Sequence, residues 1–65
     1  MDLRPTPALH SDVLRRRLTD LVCDRQALRD HRAPTLVLEQ NRLAIVQAQL
    51  DLARALVSEH AEAVA

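Results

Sequence analysis

The sequence has 65 residues, 48 % hydrophobic and 28 % charged, and its nine arginines balance nine acidic residues to a net charge of zero. A chain of this length forms one domain, which buries only ~60 % of the surface that the unfolded chain exposes. The absence of Gly disfavours a hairpin-rich β fold, and the absence of Phe, Tyr and Trp removes the stacking platforms that bind single-stranded nucleic acid. A neutral chain is also a poor default ligand for nucleic acid or anionic membranes.

Two possible starts of a first helix stand near the N-terminus. Thr6 can cap a helix whose first residue is Pro7, because the N–H that proline lacks has no partner at that position. Ser11 and Asp12 form a second start, in which the acidic side chain is favourable in the first turn. No proline or glycine interrupts the stretch that follows, so the pattern predicts helix 1 over about residues 8–32.

A single apolar stripe runs along helix 1 at helical spacing. Arg25 stands where this pattern expects another apolar residue. Its stem can pack while its head reaches water, or it can form a buried ion pair with Glu39 or with a carboxylate of a partner. The leucines of the stripe are Leu14, Leu18, Leu21 and Leu28.

Pro34 separates the two halves of the chain. Proline disfavours helical geometry at the preceding Ala33 and is well suited to open a new helix. We predict a turn over about residues 33–35 and helix 2 over about 36–63. Because so short a connection favours antiparallel neighbours, the predicted fold class is all-α, a two-helix antiparallel hairpin that forms a single domain over residues 1–65.

Helix 2 carries apolar residues on two faces. One track follows three-four heptad spacing, with Glu39 and His60 as its polar members. A second track lies about 115° around the helix from the first, at 100° per residue. The first track consists of Leu36, Leu43, Val46, Leu50, Ala53, Val57 and Val64. The second consists of Leu38, Ile45, Leu52 and Leu56, and it is widened by Ala44, Ala48 and Ala55.

A helix that is apolar on two faces needs more than one neighbour. In a lone hairpin one face stays exposed, so we predict a four-helix bundle, completed by homodimerisation or by docking to a partner. We assign one track to protein binding and the other to the hairpin core, although the two faces can exchange these roles. The predicted protein-binding residues are Leu38, Ile45, Leu52 and Leu56. The predicted core residues are Leu43, Val46, Leu50 and Val57, opposite Leu14, Leu18 and Leu21.

Arginines are the candidates for contacts with phosphate or with acidic groups of a partner. Arg15, Arg16 and Arg17 are consecutive, and adjacent residues of a helix point in different directions. Asp12 and Asp20 lie four residues to either side of Arg16, which is typical of a solvated helix face. The candidate residues for contacts with phosphate or with partner acids are Arg15, Arg16, Arg25 and Arg29.

No arrangement of residues indicates catalysis or metal binding. Cys23 and the three histidines are the only soft metal ligands, and their spacing matches no recognised zinc pattern. No general base or orienting residue is placed beside Cys23 by the sequence, and a glycine-rich phosphate loop is impossible without glycine. We therefore expect no enzymatic activity, no metal, no cofactor and no small-molecule substrate.

The layout of the chain resembles two families of helical hairpins. In length and arrangement it is similar to Rop-like plasmid copy-number proteins, which dimerise into four-helix bundles and hold RNA loops on one basic face. The aromatic residue of that face is absent here. The segment from Leu14 to Leu18, followed by Cys23, Pro34 and a long helix with glutamines, is similar to the small co-chaperones of type III secretion needles. The first resemblance implies an RNA-binding dimer, and the second implies a protein-binding co-chaperone.

From the residues we predict a small non-enzymatic protein–protein interaction module, such as an adaptor, co-chaperone, docking element or inhibitor. Its partner would be another protein, a second copy of the chain, or both. The alternatives are a Rop-like dimeric RNA- or DNA-binding regulator that uses the helix 1 arginines, and a self-assembling structural subunit. The first ten residues lack the apolar segment of a signal peptide, and no apolar run approaches the length of a membrane span. We expect a cytoplasmic protein with no membrane contact, in which Cys23 is reduced.

Overall fold

The computed structural model of the chain describes residues 10–64. Two α-helices account for most of them: α1 spans His10–Asp30 and α2 spans Thr35–Val64. No strand occurs in this part of the chain, and the predicted all-α arrangement of two helices is confirmed there. The predicted helix start at Thr6-Pro7 lies outside the described residues.

The C-terminus of α1 is a Schellman motif built on an arginine. The N–H of Arg32 donates to the carbonyl of Arg29 at 3.0 Å, and the N–H of Ala33 donates to the carbonyl of Leu28 at 2.8 Å. Arg32 has a φ of 54°, a left-handed conformation that costs a residue with a Cβ roughly 1–2 kcal/mol. Glycine is the usual residue at this position, but the chain contains none. This turn ends α1 at Asp30, slightly before the predicted boundary.

Pro34 opens α2, as the sequence predicts. Its carbonyl accepts the first helical hydrogen bond, from the N–H of Leu38 at 3.1 Å. A proline fits here because the first residues of a helix have no intrahelical acceptor for an N–H group. The 30 residues of α2 exceed the 21 of α1, so α2 is the longer side of the hairpin.

The two helices pack through one stripe from each, with residues recurring at alternating spacings of three and four. Leu14 is the most buried large apolar side chain of the described residues, at 8 % exposure, and Ala48 is buried to 2 %. Ser11 on α1 lies against Glu59 on α2, and Arg25 lies against Asn41, so the helices run antiparallel. The α1 stripe is Ser11, Leu14, Leu18, Leu21, Arg25 and Leu28. The α2 stripe is Leu38, Asn41, Ile45, Ala48, Leu52, Ala55 and Glu59.

The face of α2 that packs against α1 is not the one that we assigned to the hairpin core. The structure buries the side of α2 that we assigned to protein binding, and it exposes the side that we assigned to the hairpin core. The residues that prove half-buried in the hairpin are Leu38, Ile45 and Leu52. The predicted core residues that prove exposed are Leu43, Val46, Leu50 and Val57.

The size and polarity of the side chains on α2 explain why α1 packs against this face of the helix. Ala48 and Ala55 recur after seven residues and are both buried, and such small side chains let the two helices approach closely. Asn41 and Glu59 extend the same stripe to its ends, and both find hydrogen-bond partners on α1. The opposite face offers larger side chains but no such pairing. The α1 face that we predicted to line the core does contact α2, and Leu14 is its most buried leucine.

Candidate functional site

A row of exposed apolar side chains follows α2 on the side away from α1. Its two ends are the most exposed, with Leu36 at 68 % and Val57 at 71 %. At 100° per residue, the row lies about 150° around α2 from the stripe that contacts α1. We call this row the α2 ridge. Its members are Leu36, Leu43, Val46, Leu50, Ala53 and Val57.

The middle of the α2 ridge has uncharged borders. Gln47 and Gln49 flank it on its two sides, and both are exposed. Gln47 donates from Nε2 to Asp51 Oδ1 at 2.9 Å. Near the C-terminal end, a shallow depression opens between Ala53, Arg54, Val57 and Ser58. The centre of the ridge is therefore bordered directly by neutral side chains.

An exposed ion pair lies at the N-terminal end of the α2 ridge. Arg42 holds Glu39 in a fork, with Nη2 to Oε1 at 2.6 Å and Nε to Oε2 at 3.0 Å. These hydrogen bonds lower the pKa of the Glu39 carboxyl and raise the pKa of the Arg42 guanidinium. Because both side chains are about half exposed, the pair adds little to stability, and it places one acidic group within the row of apolar residues.

Leu56 is the one predicted protein-binding residue that remains substantially exposed, at 40 %. It lies on the flank of α2 between the buried stripe and the α2 ridge. Leu38, Ile45 and Leu52 belong to the hairpin interface instead. The structure therefore does not bring the four predicted residues together as one free surface, and the exposed apolar surface of α2 is the ridge.

The candidate arginines divide between the solvent and the hairpin. Arg15, Arg16 and Arg29 are exposed on α1. Arg25 is half-buried and donates from Nη1 to the Leu38 carbonyl at 3.1 Å and to Asn41 Oδ1 at 3.2 Å. The ion pair with Glu39 that the sequence suggested as one possibility is not the contact that Arg25 makes, because Arg42 occupies that carboxylate.

Asn41 is a structural residue that the sequence interpretation missed. It is 8 % exposed, and its Nδ2 donates to the carbonyl of Leu21 at 3.0 Å while its Oδ1 accepts from Arg25. A single buried polar residue in a heptad stripe fixes the alignment of two helices. The signal was present in the sequence, because Asn41 precedes Ala48 and Ala55 at intervals of seven residues.

Glu59 joins the C-terminal half of α2 to the start of α1. Its Oε1 accepts from the N–H of Ser11 at 3.0 Å, and its Oε2 accepts from the Ser11 hydroxyl at 2.7 Å. The carboxylate thus binds an N–H group in the first turn of α1, where the helix dipole also favours negative charge. These hydrogen bonds, first the one from the hydroxyl and then the one from the backbone, lower the pKa of Glu59.

The lowered pKa of Glu59 predicts that the hairpin loosens in acid. A carboxyl with a lower pKa in the folded state contributes stability at pH values above its unfolded pKa and loses it as the pH falls through the folded pKa. We expect Glu59→Gln to lower the melting temperature at pH 7 and to flatten its decline between pH 5 and pH 3. Thermal melts followed by circular dichroism across this range provide the measurement.

Glu62→Gln is the matched control for this experiment, because Glu62 is an exposed acid near the same end of α2. Its melting temperature should follow that of the native chain at every pH. If Glu59→Gln and Glu62→Gln gave the same profile, the contact between Glu59 and Ser11 would not contribute to the acid sensitivity of the hairpin.

Other kinds of site find no support in the described residues. No group of three or more His, Cys, Asp or Glu side chains in residues 10–64 is placed to hold a metal ion, and Cys23 is exposed. Neither α1 nor α2 has a stretch long and apolar enough to cross a membrane. The α2 ridge is therefore the candidate site that the described part of the chain offers.

Comparisons with known proteins add no family to this description. No protein-family model matches the chain, and no match was found among curated proteins or solved structures. The function must be argued from the geometry of the hairpin and from its exposed surface.

Proposed function

We propose that this chain is a non-enzymatic protein–protein interaction module whose contact surface is the α2 ridge. The observation that carries the proposal is the exposure of a long apolar row, interrupted by Glu39, in a hairpin whose other apolar stripe packs against α1. Contiguous exposed apolar patches on small soluble proteins mark interaction sites. Adaptors, co-chaperones, docking elements and inhibitors all work through such helix faces. The proposal places the module in the cytoplasm.

The free energy available from covering the α2 ridge is large for so small a chain. Full burial of a Leu or Val side chain contributes about 1.5–3 kcal/mol, so the half-exposed leucines and valines of the ridge contribute on the order of 4–8 kcal/mol before the costs of association. The hairpin itself has no fully buried large side chain among its described residues. Chains of this size obtain only about 3–5 kcal/mol from their own core.

The covering face must be an apolar helix surface of similar length. A second hairpin that completes a four-helix assembly supplies one, and so does a helical face of a larger protein. The nucleic-acid alternative has weaker support, because the exposed Arg15, Arg16 and Arg17 alternate around α1 with acidic neighbours and form no continuous basic row.

Photo-cross-linking in the cell tests this proposal. A photoreactive amino acid in place of Gln49, beside the α2 ridge, should form cross-links to protein, and mass spectrometry of the cross-linked peptides identifies the contacting chain. The same substitution at Gln26, which is exposed on α1, is the control and should form few cross-links. Equal yields at the two positions, or no protein cross-link at Gln49, would contradict the proposal.

A further inference from the structure

We propose that the surface covering the α2 ridge is the α2 ridge of a second copy of this chain, in antiparallel orientation. The inference rests on the proposed function and names its partner. The α2 ridge extends from Leu36 to Val57, more than five helical turns, so the partner must offer a long apolar row of similar spacing. The chain itself carries such a row.

The sizes of the ridge side chains fit this pairing. With a two-fold axis near residue 48, Leu43 of one copy lies opposite Ala53 of the other, and Val46 lies opposite Leu50. Each large side chain then meets a smaller one, which is the arrangement that fills a helix interface without voids. The axis repeats both pairs, so the four central layers of the interface are complementary.

The end layers of this pairing are mixed. Val57 of one copy lies opposite Glu39 of the other, and Leu36 lies opposite His60.

The charges along α2 also fit a two-fold axis at this place. Groups next to a two-fold axis face their own copies, so a charged group there would meet its like. Gln47 and Gln49 are the residues that border the ridge at the axis, and both are neutral. Away from the axis, antiparallel orientation brings Glu39 of one copy within a helical turn of Arg54 of the other. A parallel pair would instead place the two Glu39 carboxylates side by side.

The α2 ridge and its flanking side chains together approach the area of a small interface between two chains. From the exposed fractions of its side chains, the ridge presents on the order of 400 Å² of apolar surface, so a pair buries about 800 Å² from the ridge alone. The flanking side chains Gln47, Gln49, Leu56 and Arg54 bring the total towards the roughly 1,200 Å² at which stable interfaces begin. Because the ridge lies nearly opposite the stripe that contacts α1, the two α2 helices form the centre of the assembly and the two α1 helices form its outside.

The native mass of the full chain tests whether the partner is a second copy. Light scattering measures the mass, and circular dichroism on the same sample measures the helical content. The native chain should have the mass of two chains, and Leu50→Asp should have the mass of one, with a dimer dissociation constant at least about 100-fold higher. Val22→Asp is the matched control, since Val22 is an exposed apolar residue on α1, and this variant should remain a dimer. Val57→Asp repeats the test at the most exposed ridge position, in case Leu50→Asp loses helix.

Disulfide formation tests the orientation. In a Cys23→Ser background, Gln49→Cys should oxidise to a covalent dimer. Glu39→Cys should do so only when mixed with Val57→Cys, because antiparallel copies bring these two positions together. Cross-linking of Glu39→Cys with itself would overturn the antiparallel orientation.

The outcomes separate this inference from the proposed function. A native chain that is helical and monomeric would overturn self-pairing, while the proposed function would stand with a different partner. Open-ended assembly into larger species would also overturn the two-fold pair. A dimer that survives both Leu50→Asp and Val57→Asp would overturn this inference, because the two copies would then meet elsewhere. If the cross-linking at Gln49 also failed, the proposed function would fail with it.

Discussion

Ala48→Leu is expected to destabilise the hairpin by about 3 kcal/mol, most of the stability that a chain of this size can have. Ala48 is the most buried apolar side chain of the described residues, at 2 % exposure, and lies at the middle of the stripe that contacts α1. A leucine there forces the two helices apart. The separation also stretches the hydrogen bonds at the ends of the stripes, between Ser11 and Glu59 and between Arg25 and Asn41.

Urea unfolding at one fixed protein concentration measures this loss, since association would otherwise shift the apparent stability. Ala27→Leu is the matched control, because Ala27 is exposed on α1 and the same side chain can point into solvent there. We expect the control to lie within about 0.5 kcal/mol of the native chain. Equal stability of the two variants would show that α1 and α2 do not pack through Ala48.

The second large effect is expected in the polar contact between Arg25 and Asn41. Arg25→Leu leaves the buried Oδ1 of Asn41 without its donor, and such a loss costs about 1–3 kcal/mol. Asn41→Ala removes the hydrogen bonds to Arg25 and to the Leu21 carbonyl, partly offset by the better helix propensity of alanine. We expect this second variant to lose about 1 kcal/mol.

The variant that combines both substitutions is expected to be more stable than the sum of the single losses predicts. The leucine that replaces Arg25 continues the row of leucines on α1, and the alanine that replaces Asn41 continues the spacing of Ala48 and Ala55 on α2. Neither side chain of the original pair then remains buried without its partner. A double-mutant cycle in urea should give a coupling energy of about 1–2 kcal/mol between the two positions. Additive losses would show that Arg25 and Asn41 do not act together.

The elements of the fold could be read from the sequence because their signals are local. Pro34 marks the connection, and the three-four spacing of the leucines marks α1, whatever lies around them. The end of α1 shows a limit of such signals. The left-handed turn at Arg32 uses a residue with no preference for that conformation, in a chain without glycine, so only the structure locates it.

The candidate site could be recognised in part. The sequence showed that α2 has two apolar faces and therefore needs two neighbours, which remains the basis of the proposed function. It did not show which of the two faces packs against α1. The row with Leu43 and Leu50 follows heptad spacing over a longer stretch, and we assigned it to the core while leaving the two faces interchangeable. The contribution of Ala48 to the interface depends on how closely the helices approach, and a count of apolar residues does not measure that.

The sequence by itself therefore determined two helices, their boundary and the presence of a surplus apolar face, since each follows from the periodicity of one segment. Only the tertiary structure decided which α2 face is covered. That choice depends on groups far apart in the chain, with Asn41 reaching Leu21 and Glu59 reaching Ser11. A polar residue stabilises a buried stripe only when its partner stands opposite, and the partner is fixed by the alignment of the two helices.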